Sequence, residues 1–158
     1  LGAKFALPGQ LPDFDVLDVF AGAGSFGLEA VSRGARTCTF IERDPRALRC
    51  LRENIRTLGV DHACRVLADN AWAMRPPTVP DGFGLIFVDP PYRDAEDPLK
   101  VLDLLERFAP ALGAEGLMVF RHSTSAPPPA ADQFRTLRLI EERKYRFMRV
   151  LFLARHPA

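Results

Sequence analysis

An aspartate, two prolines and a tyrosine, Asp89-Pro90-Pro91-Tyr92, directly follow the apolar run Leu85-Ile86-Phe87-Val88. Prolines lock φ and lack N–H donors, so such a loop is stiff and presents carbonyl acceptors. Asp89 adds a carboxylate acceptor and Tyr92 a flat ring. An exocyclic amino group needs acceptors, and a nucleobase needs a stacking surface. The stretch therefore suits gripping a planar ring that carries an amino group. Taken alone, a proline-rich turn with a helix-capping aspartate reads the same way, so its surroundings decide.

A second candidate stretch, Gly22-Ala23-Gly24-Ser25-Phe26-Gly27, matches the G-x-G-x-x-G pattern between a strand and a helix. Glycines there permit a tight turn and close approach of a ligand, but many nucleotide-binding α/β proteins share the pattern. Glu42, twenty residues past Gly22, is placed to accept ribose hydroxyl protons. NAD and S-adenosylmethionine fit these two features alike. Three details favour S-adenosylmethionine. Asp18 lies in the first strand, four residues before Gly22, where it can face the amino-acid end of that cofactor. The third strand leads into Asp69-Asn70-Ala71, a polar pair suited to an adenine edge. The fourth leads into the Asp89 loop. In an open parallel sheet, ligands lie beyond the carboxyl ends of the strands, and all these groups fall there. Turn or capping roles explain Asp18 and Asp69 singly; their coincidence is harder to explain that way.

The elements that must position these residues alternate. Asp15 to Phe20 reads as a buried strand, followed by the glycine turn and a helix from about Phe26 to Arg33 that Gly34 ends. Thr37 to Ile41 is a second strand. Asp44-Pro45 opens a longer helix with an aspartate cap and proline in its first turn; Leu48, Leu51, Ile55 and Leu58 mark its inward face, and Gly59 stops it. Arg65 to Leu67 is a third strand, Leu85 to Val88 a fourth, Pro98 to Phe108 a third helix, and Leu117 to Phe120 a fifth strand. This βαβα order predicts a parallel sheet covered on both faces. Ser123 to Ala131, with three consecutive prolines, is a loop. Thr136 to Glu141 and Phe147 to Leu153 then read as a hairpin adding an antiparallel edge.

The 158 residues are enough for one domain spanning 1–158, and 47% hydrophobic with 26% charged residues is ordinary for a globular chain. No apolar run approaches a membrane span and no leader pattern opens the chain, so a cytoplasmic protein without membrane contact is expected. The chain begins at Leu1 rather than Met, which points to sequence missing upstream. Cys38, Cys50 and Cys64 lack metal-type spacing and sit in periodic apolar segments, so they read as core thiols; the scattered His62, His122 and His156 suggest no metal site. The net charge of +1 hides an asymmetry: residues 121–158 carry eight Lys/Arg against three acids. Arg135, Arg138, Arg143, Lys144, Arg146 and Arg149 in that excess suit a polyanionic partner or a solvated hairpin equally.

Taken together, the chain resembles the RsmD-type bacterial methyltransferases, which modify the N2 amino group of a guanine in small-subunit (16S) ribosomal RNA. Leu17-Asp18-Val19-Phe20-Ala21-Gly22-Ala23-Gly24, Gly27 to Ala35, Phe40-Ile41-Glu42-Arg43-Asp44, Asn54, Asn70-Ala71 and Phe87 to Tyr92 carry the resemblance, over about residues 15 to 120. The glycine motif is generic, while Gly27 to Ala35 together with the proline motif is more specific. The resemblance implies a seven-stranded, Rossmann-like S-adenosylmethionine-dependent methyltransferase sheet, mostly parallel, with an antiparallel C-terminal hairpin strand. It implies that Asp18, Phe20, Gly22 and Gly24 line the methionine end, that Glu42 holds the ribose, that Arg43 beside it is a further cofactor-binding residue, and that Asn70, or else Asp69, meets the adenine. Asp89, Pro90, Pro91 and Tyr92 become the catalytic residues. The implied partner is ribosomal RNA or a small-subunit assembly particle, engaged by a monomer. Two departures stand out: the family's upstream basic segment, with its Arg-Pro-Thr-like motif, has no counterpart here, and Arg121-His122 ends the fifth strand where an acid is expected.

Arg93 beside the motif is a candidate RNA contact. Arg46, Arg49, Arg52 and Arg56 follow at helical spacing, which a solvated face explains equally well. Among rivals, an adenine-N6 methyltransferase acting on DNA or RNA shares the proline motif but normally carries a sizeable recognition region. Protein glutamine methylation usually has Asn in place of Asp89. A non-catalytic S-adenosylmethionine-binding module associated with RNA would not need the intact motif, and an NAD-dependent dehydrogenase would bind NAD in its place.

Overall fold

The computed structural model describes residues 9–158. The middle of its five parallel strands is β1 (Asp15–Val19), buried along its whole length because layers of side chains cover both faces. Parallel neighbours flank it: β2 (Thr37–Glu42) then β3 (Cys64–Ala68) on one side, β4 (Phe83–Val88) then β5 (Leu112–Ser123) on the other. The last two strands, β6 (Leu137–Tyr145) and β7 (Met148–Arg155), form an antiparallel hairpin whose β7 pairs with β5. The order is β3-β2-β1-β4-β5-β7-β6, a seven-stranded mixed sheet. The direction of travel reverses between β1 and β4, and at such a reversal the loops leave a crevice beyond the strand ends.

Local chemistry explains where the helices begin. Asp44 caps α2 (Pro45–Leu58) by accepting from the amides of Arg46 and Ala47, and Asp97 caps α3 (Pro98–Phe108) by accepting from Leu99 and Lys100. Each cap is followed by proline at a position whose N–H is unneeded, and such a cap stabilises by about 1 kcal/mol. Gly59 ends α2 in a left-handed conformation. The short α1 (Ser25–Ser32) starts on Gly24 without a side-chain cap. It packs close to the sheet because Gly27 leaves no room for a methyl: an added Cβ would lie 2.4 Å from the Phe40 ring and 2.5 Å from Cys38 Sγ.

Alternation along the strands divides the core. Val16, Leu85, Phe87, Cys38 and Phe40 face α1 and α2, where Leu28, Leu51 and Ile55 meet them. Leu17, Val19, Ile86, Val88 and Phe120 face α3, packing on Val101, Leu104, Leu105 and Phe108. No helix among the described residues is long and apolar enough to cross a membrane.

Several expected boundaries move. Leu58 is 60% exposed rather than inward; it is the last residue of α2, and the buried face ends at Ile55. Cys50 is exposed as well, pointing away from the Leu48–Leu51 face; only Cys38 is a fully buried thiol. The fifth strand is three times as long as its apolar stretch: pairing with Phe83 starts it at Leu112, and polar Arg121, His122 and Ser123 are held in it by pairing with Val150, Arg149 and Met148. Likewise β6 continues to Tyr145, leaving only Arg146 and Phe147 as the turn.

Candidate active site

The chain leaves β1 through Phe20, whose φ of 62° makes it the one non-glycine residue among those described with positive φ. A bulky side chain in that region costs on the order of 1–3 kcal/mol and persists where surrounding structure imposes it. The Phe20 ring lies 5.2 Å from that of Trp72, beside the loop after β3. Gly22 and Gly24 follow, also at positive φ. Three carboxylates converge around this turn. Glu42 Oε2 accepts from the Gly22 amide at 2.7 Å, and Glu42 Oε1 accepts from Arg43 and Asp44, each at 2.8 Å. A carboxylate has about four lone-pair positions, so Oε2 retains one for a further donor. Asp18 Oδ2 accepts from the Gly27 amide at 2.9 Å. Its other oxygen, Oδ1, is buried without a partner.

The electrostatics follow from that crowding. Asp18 is 1% exposed; burial pushes its carboxyl up to about 8, and the negative charges of Asp89 and Glu42 push the same way. Asp89 is also raised by burial, against the opposing pull of Arg121, whose Nε lies 3.5 Å from Asp89 Oδ1. The carboxyl ends of β1, β2 and β4 thus form one strongly acidic corner.

A crevice of about 330 Å3 opens over this corner, within the usual range for small-ligand sites. Phe20, Gly22, Glu42, Arg43, Asp69 and Asn70 line it, as do Asp89, Pro90, Pro91 and Tyr92. Ten of the twelve residues singled out in the sequence therefore meet around one space. The other two lie beneath it: Asp18 under the start of α1, and Gly24 packed so that a Cβ would meet Leu51 at 2.5 Å. Asn70 Oδ1 accepts from the Trp72 amide and Asp69 Oδ1 from the Asn70 amide. The Asn70 side-chain Nδ2 and Asp69 Oδ2 are the polar groups this pair has left for a ligand.

Comparison with known proteins bears on what the crevice serves. The family described as "Conserved hypothetical protein 95" matches residues 4–154. The chain belongs to this family. Two relatives define it as the RsmD type. "Putative rRNA methyltransferase YlbH" of Bacillus subtilis is 36% identical over 118 residues, which cover 72% of this chain and 61% of that protein. "Ribosomal RNA small subunit methyltransferase D" of Escherichia coli is 42% identical over 94 residues, 58% of this chain and 46% of that one. The chain thus spans about half the length of the curated relatives it matches. The solved structure of "Putative methyltransferase yhhF" from Escherichia coli superposes with a TM-score of 0.70 at 30% identity, covering 92% of this chain and 77% of that one. A Rossmann-like methyltransferase fold with antiparallel C-terminal strands is the architecture shared.

Within this RsmD-type scaffold, the sequence discloses no role for Asp94 or Arg107, and Arg121 stands out in it only as a departure from the family at the end of the fifth strand. Asp94 lines the crevice and pairs with Arg43 at 3.7 Å, closing one rim. Arg121 lies between the crevice and an apolar cavity of about 470 Å3 on the other side of Asp89, its guanidinium 5.5 Å over the Phe26 ring. Arg107, on α3, donates to the carbonyls of Ala71 (3.2 Å), Trp72 (3.0 Å) and Met74 (2.7 Å). Those three bonds fasten the loop that carries Asp69 and Asn70. Its only sequence signal is an arginine near the inward face of a helix. Hydrogen bonds to a charged group contribute about 1.5–3 kcal/mol each and overlap when shared. Arg107→Ala should therefore lower unfolding free energy in urea by at least about 2 kcal/mol. An unchanged midpoint would mean the loop holds itself.

Proposed function

We propose that this chain carries an S-adenosylmethionine-dependent methyltransferase activity that modifies the N2 amino group of a guanine in small-subunit ribosomal RNA. One observation supports it above the rest: the amides of the glycine turn are already bonded to carboxylates. The Gly22 N–H points to Glu42 and the Gly27 N–H to Asp18. A dinucleotide would need those donors for its pyrophosphate, and would bring two negative charges to Glu42, Asp18 and Asp89. A sulfonium with an ammonium group brings positive charge to the same place, so the donor set fits S-adenosylmethionine and disfavours NAD. Asp18 Oδ1, buried and unpartnered, is the natural acceptor for the ammonium end; Glu42 Oε2 accepts from a ribose hydroxyl; Asp69 and Asn70 offer an acceptor and a donor to an adenine edge.

The bound cofactor supplies an activated methyl group, leaving the protein to align and desolvate the acceptor. A guanine amino nitrogen is a poor nucleophile because its lone pair is delocalised into the ring. The Asp89 carboxylate and the Pro90 carbonyl accept hydrogen bonds from its two N–H groups, which favours a pyramidal nitrogen and aims the lone pair at the methyl carbon. Transfer would break the donor's sulfur–methyl bond and leave a neutral thioether, and the methylated nitrogen, made acidic, would lose one proton through Asp89 to water. Tyr92, exposed at the crevice rim, holds the base by stacking. A guanine inside a helix is out of reach, so the target is unpaired or flipped.

The test is labelled methyl transfer by the full-length protein onto hypomethylated small subunits, free ribosomal RNA and DNA, followed by digestion to nucleosides. N2-methylguanosine is the expected product. N6-methyladenosine, or label in DNA, would move the assignment to the adenine rival. Calorimetric binding of S-adenosylmethionine without label in any substrate would reduce the chain to a binding module.

A further inference from the structure

The β6–β7 hairpin ends in residues that turn chemistry does not select. The ladder closes on Tyr145 paired with Met148, leaving Arg146-Phe147 as a two-residue turn. Such turns favour Asn, Asp and Gly, because their best geometries need positive φ; here neither residue has it. Phe147 is 72% exposed and Tyr145 55% exposed, so neither ring contributes much to packing. Every residue from Glu141 to Phe147 is exposed, so this arm of the edge strand and its turn face solvent. Arg143 and Arg149 are paired with Glu141 and Glu142. Lys144 and Arg146 form no salt bridge among the described residues, and the Arg146 guanidinium lies 5.3 Å over the Phe147 ring. Two aromatic faces interleaved with uncompensated cations answer the chemistry of an unpaired nucleic-acid strand: bases stack on rings while phosphates meet the charges.

Strand register sets where the arm points. Parallel β4 and β5 place Ser123 at the same edge as Asp89. Antiparallel β7 then brings Met148 opposite Ser123, and the Thr124 amide donates to the Phe147 carbonyl at 3.2 Å. The apex therefore leaves the very edge that carries the crevice. Two strand spacings across and three residues along give on the order of 15 Å from Asp89 to the apex. A stacked strand, rising about 3.4 Å per nucleotide, covers that in roughly four nucleotides.

We propose that Tyr145, Arg146 and Phe147 form a stacking platform for unpaired RNA flanking the base presented to Asp89. The platform rests on the RNA methyltransferase reading for the identity of that base, while RNA binding can be measured without any turnover. The probe is a labelled, unstructured RNA of about twelve nucleotides, within the span one domain covers, titrated by fluorescence anisotropy against the full-length protein.

Phe147→Ala should weaken binding by about five- to a hundredfold, the range for losing one stacked base. Phe147→Leu should fall with it, and Phe147→Trp should bind at least as well as the parent, since the ring and not its apolarity is at work. The side chain is exposed, so melting temperatures should stay together across the set. Parent protein that ignores the RNA, or equal affinities for parent and Phe147→Ala, would overturn the proposal. So would a self-association, seen by sedimentation, that Phe147→Ala abolishes at unchanged RNA affinity, because that marks a protein interface. Titration with S-adenosylmethionine runs in parallel on the same samples. RNA binding that depends on Phe147 in a protein blind to S-adenosylmethionine would sink the methyltransferase reading and leave the platform standing.

Discussion

Asp89→Ala should cut methyl transfer by about a thousandfold, the scale for removing one preorganised polar group at a reacting centre, while changing S-adenosylmethionine affinity by less than about threefold. The asymmetry follows from where the carboxylate sits. It lies at the end of β4, across the crevice from Glu42 and Asn70, and its charge is held by Arg121 at 3.5 Å. Most of the contacts argued for the cofactor come from β1, β2 and β3, so removing Asp89 leaves them intact. Asp89→Asn sharpens the test. It keeps the shape but turns one acceptor into a donor, which repels an amino group as the substrate and should be nearly as damaging. Single-turnover rates with saturating cofactor, beside calorimetric affinities, measure both quantities. Equal losses in rate and cofactor affinity would mean that Asp89 merely holds the crevice together through Arg121.

What the sequence discloses about this molecule is what local chemistry controls. Asp44-Pro45 and Asp97-Pro98 announce helix starts because cap and proline act within four residues. The Asp89 motif is equally plain, being contiguous. Residues recruited by pairing are not. Arg121 reaches Asp89 only because Val88 stands opposite Phe120 in the β4–β5 ladder, thirty-two positions apart, and Arg107 reaches the Asn70 loop from the last turn of α3. The same physics hides the lengths of β5 and β6, whose polar ends are strand only because β7 pairs with them. Asp18 falls between the two cases. Its place before the glycine turn is legible, but its burial beneath α1, with one oxygen left unpartnered, comes from the close packing that Gly27 permits.

That burial yields the second large effect. Asp18→Asn should raise the melting temperature above pH 8 and at the same time weaken S-adenosylmethionine binding by at least about tenfold, or 1.4 kcal/mol. Burial lifts the Asp18 carboxyl from 3.8 to about 8, so between those values the folded protein holds a proton that the unfolded chain has lost. By linkage, the contribution of this group to stability is greatest below about pH 4 and declines as pH rises toward 8. Asparagine carries no charge to bury, can still accept from the Gly27 amide, and frees the fold from that decline. The gain should reach at least about 3 °C near pH 8.5, roughly 1 kcal/mol for a chain of this size, and should vanish near pH 4. Binding runs the other way, because an amide cannot neutralise an ammonium group and adds a donor where an acceptor is needed. Binding to the parent should release a proton from Asp18 near pH 7, visible as a calorimetric heat that depends on the buffer's ionisation enthalpy. Thermal melts across pH and titrations in two buffers check the pair of effects. A variant that is destabilised at every pH, or one that binds cofactor as the parent does, would show that Asp18 serves the glycine turn alone.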